Sequence, residues 1–484
     1  MDYSIFVSHK AGDGGIIMRT PIVRLQTLAI RNIKNVEDGE IQMPFALNKE
    51  MTYDKAEILG IYGQNGSGKT AVVDTIHFLQ MLLCGKSIDK SWSDYIDSRK
   101  DTAQIQAVFT VFCENTVYDV TYSVVISRDG EMVKISEESL ASATITSDKR
   151  TNKTTFLSFQ TGESEAFTPK KRYDEIIKQV PNATINLIVA KRIAEKSRCS
   201  YIFGENSREI FLSCDETGRA RWDYAIIISA LFTFAVRDLF VIRNTHSGYI
   251  TANIALPMAF RIDEENSGIK GDFAVSLREP TLIDLNKLEV LNKIIADINT
   301  VLFTIIPGMN ILVKDLGVQT LEDGQEGHRV ELLAQHYDLP AIPIRMESEG
   351  IIKIVSILNA MIQLFANPSI CLVIDEMDSG IFEYMFGELL SIAAKSAKGQ
   401  LIFTSHNLRP LEMLNKDSIV FSTANPQKRY IHMKNVKNTN NLRDVYIRSI
   451  TLGGQNEKLY EETDSLKIAR AFRKAGRRIA NGKD

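Results

Sequence analysis

The chain has little of what marks several common classes of protein. Its five cysteines (Cys84, Cys113, Cys199, Cys214 and Cys371) are scattered, with no C-x-x-C pair. That excludes a zinc ribbon or a disulfide framework and suits a reducing compartment. A net charge of −3 over 484 residues leaves no global field to draw the molecule onto DNA or a membrane, so any basic surface is local. Long apolar runs are absent as well. The greasiest, YAIIISALFTFAV at 224–236, is too short to cross a bilayer and reads as a buried helix. The start, MDYSIFVSHKAGDGG, lacks the basic-then-apolar layout of a signal peptide, so a cytoplasmic protein with no membrane attachment is expected. No repeat of fixed period and no sustained heptad occurs, and Pro181, Pro257, Pro280 and Pro307 interrupt the middle region, which excludes a long coiled-coil arm. What remains, 44% hydrophobic and 24% charged, is the balance of a folded globular chain long enough for two or three domains.

Residues 22–36, IVRLQTLAIRNIKNV, alternate as a half-buried strand does. AEILGIYG then reads as an apolar strand ending in glycine, and TAVVDTIHFLQMLL as a helix. Residues 103–127 suggest two strands around a turn at Glu114-Asn115. The polar stretch 128–172 reads as an exposed insertion, and 173–310 as mainly helical, with the helical pattern at 281–306 stopping at Pro307-Gly308. Short strands at 309–343 precede a helix through about residue 366, and then ICLVIDE, LIFTSH and SIVFS alternate with helices. Strands alternating with helices imply an α/β fold with a parallel sheet buried on both faces. The expected division is an N-terminal lobe at 1–130, an insertion at 131–308 offering a partner or oligomer surface, a C-terminal lobe at 309–436, and a basic tail at 437–484.

GQNGSGKT runs from Gly63 through Gln64, Asn65, Gly66, Ser67, Gly68 and Lys69 to Thr70, between a strand and a helix. It fits G-x-x-x-x-G-K-[ST] in the context that motif needs. Backbone N–H groups of such a turn and the helix N-terminus converge on phosphate oxygens. Lys69 would reach the β- and γ-phosphates of ATP, and the Thr70 hydroxyl would bind Mg²⁺. CLVIDE delivers Asp375 and Glu376 at the C-terminal edge of an apolar strand, where ligands of open α/β sheets bind. Asp375 is placed to hold Mg²⁺, and Glu376 to act as general base toward the attacking water. His406 ends the following strand and points to the same crevice, as a γ-phosphate sensor. RMESEG, at 345–350, puts Ser348 and Gly350 at the start of a helix.

The order of phosphate loop, Ser-x-Gly helix, Asp-Glu strand, Asp378 in MDSG and a strand ending in Thr-Ser-His resembles the ABC-type ATPase heads of the branch with structural-maintenance-of-chromosomes (SMC), RecF and OLD proteins. ESEGIIKIVSIL and TSHNLRPLE resemble its compact AAA15 group in particular. That resemblance covers roughly 22–127 and 309–422. It implies an ABC-ATPase head with a mixed sheet flanked by helices, and ATP hydrolysis in a composite site. Ser348 and Gly350 would take the signature role toward ATP held by another protomer, and Asp378 would lie in a loop at the dimer seam. ESEG departs from the Leu-Ser-Gly-Gly-Gln of transporters, so Glu349 must face away from phosphate or pair with Lys353. The glutamine that usually couples such heads to cargo is not placed; Gln104 and Gln106 are nearest.

The tail SLKIARAFRKAGRRIANGKD carries Lys467, Arg470, Arg473, Lys474, Arg477, Arg478 and Lys483, with Ile468, Phe472, Ala475 and Ile479 on one helical face. It could bind nucleic acid or an acidic partner, or dock with its basic face solvated. About sixty residues follow SIVFS, too few for the TOPRIM nuclease domain that OLD proteins carry. The size and layout resemble the ATPase subunits of PARIS anti-phage systems, with two-gene Septu-like systems and abortive-infection ATPases as close rivals. That resemblance implies a homo-oligomer built from head dimers, up to a hexamer, a separate effector nuclease of TOPRIM type, and a phage trigger protein. A RecF-like clamp on DNA in repair or recombination is the alternative. A third reading is a module in which ATP only locks assembly.

Overall fold

A computed structural model describes residues 7–10, 22–50, 52–146, 149–214, 222–264, 267–434 and 441–480, with Pro21. Its centre is a six-stranded sheet of β1 (Glu57–Tyr62), β2 (Leu239–Ile242), β3 (Cys371–Ile374), β4 (Gln400–Thr404), β5 (Ile419–Ser422) and β6 (Tyr430–Ile431), ordered β6-β5-β1-β4-β3-β2. All pairings are parallel except β5 with β6. The strands are mainly apolar because both faces are covered. Leu59, Ile61, Val373, Ile402 and Val420 point into one core, while Ile58, Tyr62, Leu372, Ile374, Phe403 and Phe421 point into the other.

The first core lies under an antiparallel sheet ordered Val36–Gln42, Ile22–Ile33, Thr102–Cys113, Thr116–Asp129, Met132–Ile145, Thr154–Gln160. A buried polar cluster ties the two sheets. Gln400 on β4 donates to Glu57 on β1 (2.7 Å) and to the Leu25 carbonyl (2.8 Å), while Arg24 lies 4.0 Å from Glu57 and donates to the Tyr53 carbonyl at 2.7 Å. Burial pushes the Glu57 carboxyl up and the Arg24 guanidinium down, each opposed by the partner's charge.

Here the expectation of an exposed insertion at 128–172 is corrected. The antiparallel sheet crosses residue 130 and continues to Gln160. In MVKISEESLASATI the polar side chains mostly take the outer face, and the exception, Glu138, is fully satisfied. It accepts from the Tyr122 hydroxyl (2.7 Å), the Ser200 hydroxyl, and the N–H groups of Tyr201 (2.8 Å) and Ile202 (3.2 Å). The expectation of a mainly helical stretch at 173–310 is met among the described residues, with the helix Leu285–Ile305 falling inside the expected 281–306. Helices also span Lys170–Gln179, Ala183–Ser197, Glu205–Phe211 and Asp223–Thr233, the last buried as expected. However, β2 supplies an edge of the central sheet, and Ala255–Glu264 pairs with Ser267–Ser276 as a hairpin. Pro257 sits on the outer strand of that hairpin, where a missing N–H costs no ladder bond.

Two helices carry site residues, α1 (Lys69–Leu83) and α2 (Glu349–Ala366); α3 (Glu383–Ser396) and α4 (Ser465–Ala480) come after them in the chain. Among the described residues, α2 is the one helix long and apolar enough to cross a membrane, and 67% of it is buried inside the molecule against the second core. The tail helix α4 is not docked along its length: Ser465 through Arg477 are exposed, Leu466 and Phe472 included. Lys483 lies outside the described residues, as does the expected segment 481–484 as a whole.

Candidate functional site

The phosphate loop joins β1 to α1. Gly63, Gly66 and Gly68 have φ of 151°, 77° and 92°, conformations that a side chain would strain. At Gly66 a Cβ would meet nothing within 4 Å, so the backbone conformation, not space, calls for glycine there. Lys69 lies folded on the loop, donating to the carbonyls of Gly63 (2.8 Å) and Gln64 (3.1 Å). Burial lowers its pKa, opposed by the charges of Asp375, Glu376 and Asp378. Ser67 is buried and donates to the Gln64 carbonyl at 2.6 Å, while Asn65 and Thr70 are exposed. Two residues that sequence reasoning did not single out brace the loop from outside. The Tyr430 hydroxyl donates to the Gly68 carbonyl at 2.7 Å, and the Asn35 amide donates to the Gly66 carbonyl.

Asp375 follows β3 and is buried. One carboxylate oxygen, Oδ1, accepts from the Thr404 hydroxyl at 2.6 Å; Oδ2 is buried with no hydrogen-bond partner. Burial raises its pKa; the Thr404 and Thr70 hydroxyls lie close enough to oppose the rise. A buried carboxylate oxygen, beside a phosphate loop and the Thr70 hydroxyl, is a donor set for a hard cation. The residues present therefore fit Mg²⁺, with Asp375 and Thr70 as its holders.

Glu376 comes next, half-buried, with φ of 47°. A non-glycine residue there is strained and persists only when its surroundings enforce it. Two groups do so. The Glu376 N–H donates to Thr404 Oγ1 at 2.8 Å, and its carbonyl accepts from Lys353 Nζ at 2.5 Å. One threonine hydroxyl thus sets both acidic residues. Thr404→Val removes the donor to Asp375 and the acceptor for Glu376 together. We expect Mg²⁺ affinity and turnover to fall about 10–100-fold, the usual cost of losing such a support, with Thr404→Ser restoring both. Magnesium titration of ATP turnover checks this, and an active Thr404→Val would contradict it.

Asp378 accepts from the N–H groups of His406 (3.1 Å) and Asn407 (2.9 Å), so it holds the loop after β4 within its own chain. His406 is exposed. Its pKa is lowered by burial of the ring and by Lys69, against the pull of Asp378, Glu376 and Asp375. Because β1, β4 and β3 lie side by side and Thr404 and Asp378 link their ends, Lys69, Asp375, Glu376, Asp378 and His406 share one crevice.

Among the described residues no hydrogen bond joins Ser348 or Gly350 to the phosphate loop. Ser348 is exposed and caps α2, accepting from the Ile351 N–H at 3.4 Å. Gly350 is buried against the turn after Asp378: a Cβ there would lie 1.9 Å from the Gly380 carbonyl oxygen. Glu349 turns away and accepts from the Thr251 hydroxyl (3.3 Å), while Lys353 goes to Glu376 instead. Gln104 sits in the antiparallel sheet, contacting Arg31 and Ser123. A cavity of 270 Å³, lined by residues including Tyr118, Arg172, Trp222 and Tyr224, shares no residue with the phosphate loop.

No curated relative is detected. Among solved structures, an SMC head bound to the C-winged helix domain of ScpA is 11% identical, with 84% of this chain and 98% of that chain covered and a TM-score of 0.40. An SMC head domain from Thermotoga maritima is 13% identical (85% and 99% covered, TM-score 0.34). The recombination mediator RecF with ATP is 11% identical (80% and 94%, TM-score 0.31). What identifies the chain is a family model that matches residues 58–412, from β1 through the loop beyond β4. The chain belongs to the family of AAA domains described as putative AbiEii toxin, type IV toxin–antitoxin system, and carries that family's ATPase domain.

Proposed function

We propose that the chain is the ATP-hydrolysing sensor and scaffold of a bacterial anti-phage system of the abortive-infection kind, acting in the cytoplasm. It holds a separate toxic nuclease, of TOPRIM type, and releases it when a phage protein is sensed. Its working unit is a pair of heads with two ATP molecules between them, from which larger homo-oligomers, up to a hexamer, are built. The observation that carries the paired-head reading is the division of the site. Lys69, Asp375, Glu376 and His406 share one crevice, while Ser348 stands exposed on a helix end whose Gly350 is set against the Asp378–Gly380 turn. A neighbour's γ-phosphate is what such an exposed helix N-terminus would cap. The defence setting draws on the family description, which names a toxin of a toxin–antitoxin system.

In this reading the phosphate loop orients ATP and Lys69 leaves its loop carbonyls for the β- and γ-phosphates. Glu376 takes the proton of a water in line with the γ-phosphorus, and that oxygen displaces ADP. His406, held by Asp378, donates to the γ-phosphate and loses that contact once phosphate leaves. Mg²⁺, bound by Thr70 and Asp375, supplies charge neutralisation of the phosphates. Ser348 of the second head closes the site, so release of phosphate opens the pair.

The test is a phage challenge of cells carrying the chain with its neighbouring genes. Glu376→Gln should abolish protection while the effector still co-purifies with the chain. Protection equal to wild type would show that assembly alone suffices and would overturn the hydrolysis-driven sensor.

A further inference from the structure

The segment before α4 is strapped across the end of the central sheet and onto the phosphate loop. Lys458 accepts from the Ala424 N–H at 2.7 Å, Glu457 takes the Asn425 amide at 2.9 Å and pairs with Lys428 at 3.3 Å, and Leu459 is buried. The Glu461 N–H then donates to Gln64 Oε1 at 2.9 Å. Helix α4 begins four residues later, so it is rooted at the mouth of the nucleotide site. It extends for 16 residues, about 24 Å at the helical rise. Its apolar positions Leu466, Ile468 and Phe472 are 66%, 44% and 76% exposed, between Lys467, Arg470, Arg473, Lys474 and Arg477. A single helix of this length gains little from its own hydrogen bonds in water and is held mainly by packing.

A surface of matching character lies beside Ser348. Met346, Phe382 and Tyr384 are 69%, 68% and 58% exposed. They form one neighbourhood because Gly350 packs on Gly380 and Ile381, and the Phe382 and Tyr384 rings lie 5.8 Å apart. Glu349, Glu383 and Glu388 are exposed around them. The helix is apolar with cations. The surface is apolar with carboxylates that form no ion pair among the described residues and outnumber its two arginines: Arg345, which pairs with Glu331, and Arg409, which lies 4.7 Å over the Tyr384 ring and pairs with Glu412. In a paired-head arrangement both meet at one nucleotide: the root of α4 at the phosphate loop that holds it, the second copy's Ser348 at its γ-phosphate.

We propose that α4 clasps a second copy of this chain, packing Ile468 and Phe472, which share one helical face, on that copy's Met346, Phe382 and Tyr384, with its arginines and lysines against Glu349, Glu383 and Glu388. This rests on the paired-head reading and adds a partner surface to it. Gln64 links the clasp to the phosphate loop, so nucleotide occupancy and clasp position are coupled.

The experiment uses the full chain carrying Glu376→Gln, which holds ATP unhydrolysed, in sedimentation velocity with and without ATP and Mg²⁺. ATP-dependent self-association is expected. Adding Phe472→Asp should weaken it about tenfold or more, as loss of an aromatic anchor does, without changing the affinity for a fluorescent ATP analogue measured on the monomer, at concentrations too low for pairing. A population with Phe472→Cys and a differently tagged one with Phe382→Cys should cross-link through a bismaleimide above the level of the parent chain, and only with ATP. No ATP-dependent association of the parent would overturn the paired heads and the clasp together. Association unaltered by Phe472→Asp, with no cross-link, would overturn the clasp alone. Loss of duplex DNA binding by Phe472→Asp with association unchanged would assign the helix to nucleic acid and overturn the clasp.

Discussion

Glu376→Gln should lower ATP turnover by about 10²–10⁴-fold, the range that a positioned general base contributes, while ATP binding persists. The substitution keeps shape and hydrogen-bonding reach but cannot accept a proton from water. It also leaves the strained backbone untouched, because the supports at that residue act on its N–H and carbonyl: Thr404 holds the former and Lys353 the latter. The change therefore isolates proton transfer from folding. Single-turnover kinetics with a parallel ATP-binding titration read the two separately. Turnover within a factor of about two of wild type would remove Glu376 from the chemistry.

Gly350→Ala should be nearly as severe, by a different route. A methyl at residue 350 would lie 1.9 Å from the Gly380 carbonyl oxygen and 2.8 Å from the carbonyl carbon. Both are backbone atoms of a short turn, so neither can swing aside. Helix α2 or the 378–381 turn has to shift, and that turn carries Asp378, which holds the His406 and Asn407 N–H groups. Overpacking of this kind costs about 1–3 kcal/mol, and displacing catalytic groups by about an ångström costs on the order of 100-fold in rate. We expect a folded protein, slightly less stable by denaturant titration, with ATP binding kept and turnover down by that factor. Wild-type turnover would mean that the contact between helix and turn has no part in hydrolysis.

What the sequence made legible, and what it hid, follows from which groups are contiguous. The phosphate loop and the Asp375–Glu376 pair are each carried by one short segment, so their strand and turn context could be read directly, as could the strands at 22–33, 57–62, 371–374 and 400–404. Thr404, Lys353, Tyr430 and Asn35 reach the same site from segments far apart in the chain, and nothing local about them signals it; Thr404 stood inside a strand noted for its histidine. The strands at 132–145 and 154–160 read as surface because Ser, Thr, Lys and Glu fill their outer face. Glu138 looked exposed because its four hydrogen-bond donors come from two other segments. The hairpin at 255–276 was hidden by Pro257, which breaks a central strand but not an outer one.

The central claim is that a triphosphate is shared between two chains, and mixing two disabled chains tests it most directly. Lys69→Ala removes the phosphate lysine, and Ser348→Arg blocks the exposed helix end, so each alone should be inactive. In a mixed pair, one site combines an intact loop from one chain with an intact Ser348 from the other. Equal mixing should restore about a quarter of wild-type turnover, since half of randomly formed pairs are mixed and each has one good site. Activity that stays at the level of the separate variants, or a Ser348→Arg chain that is active alone, would contradict the account.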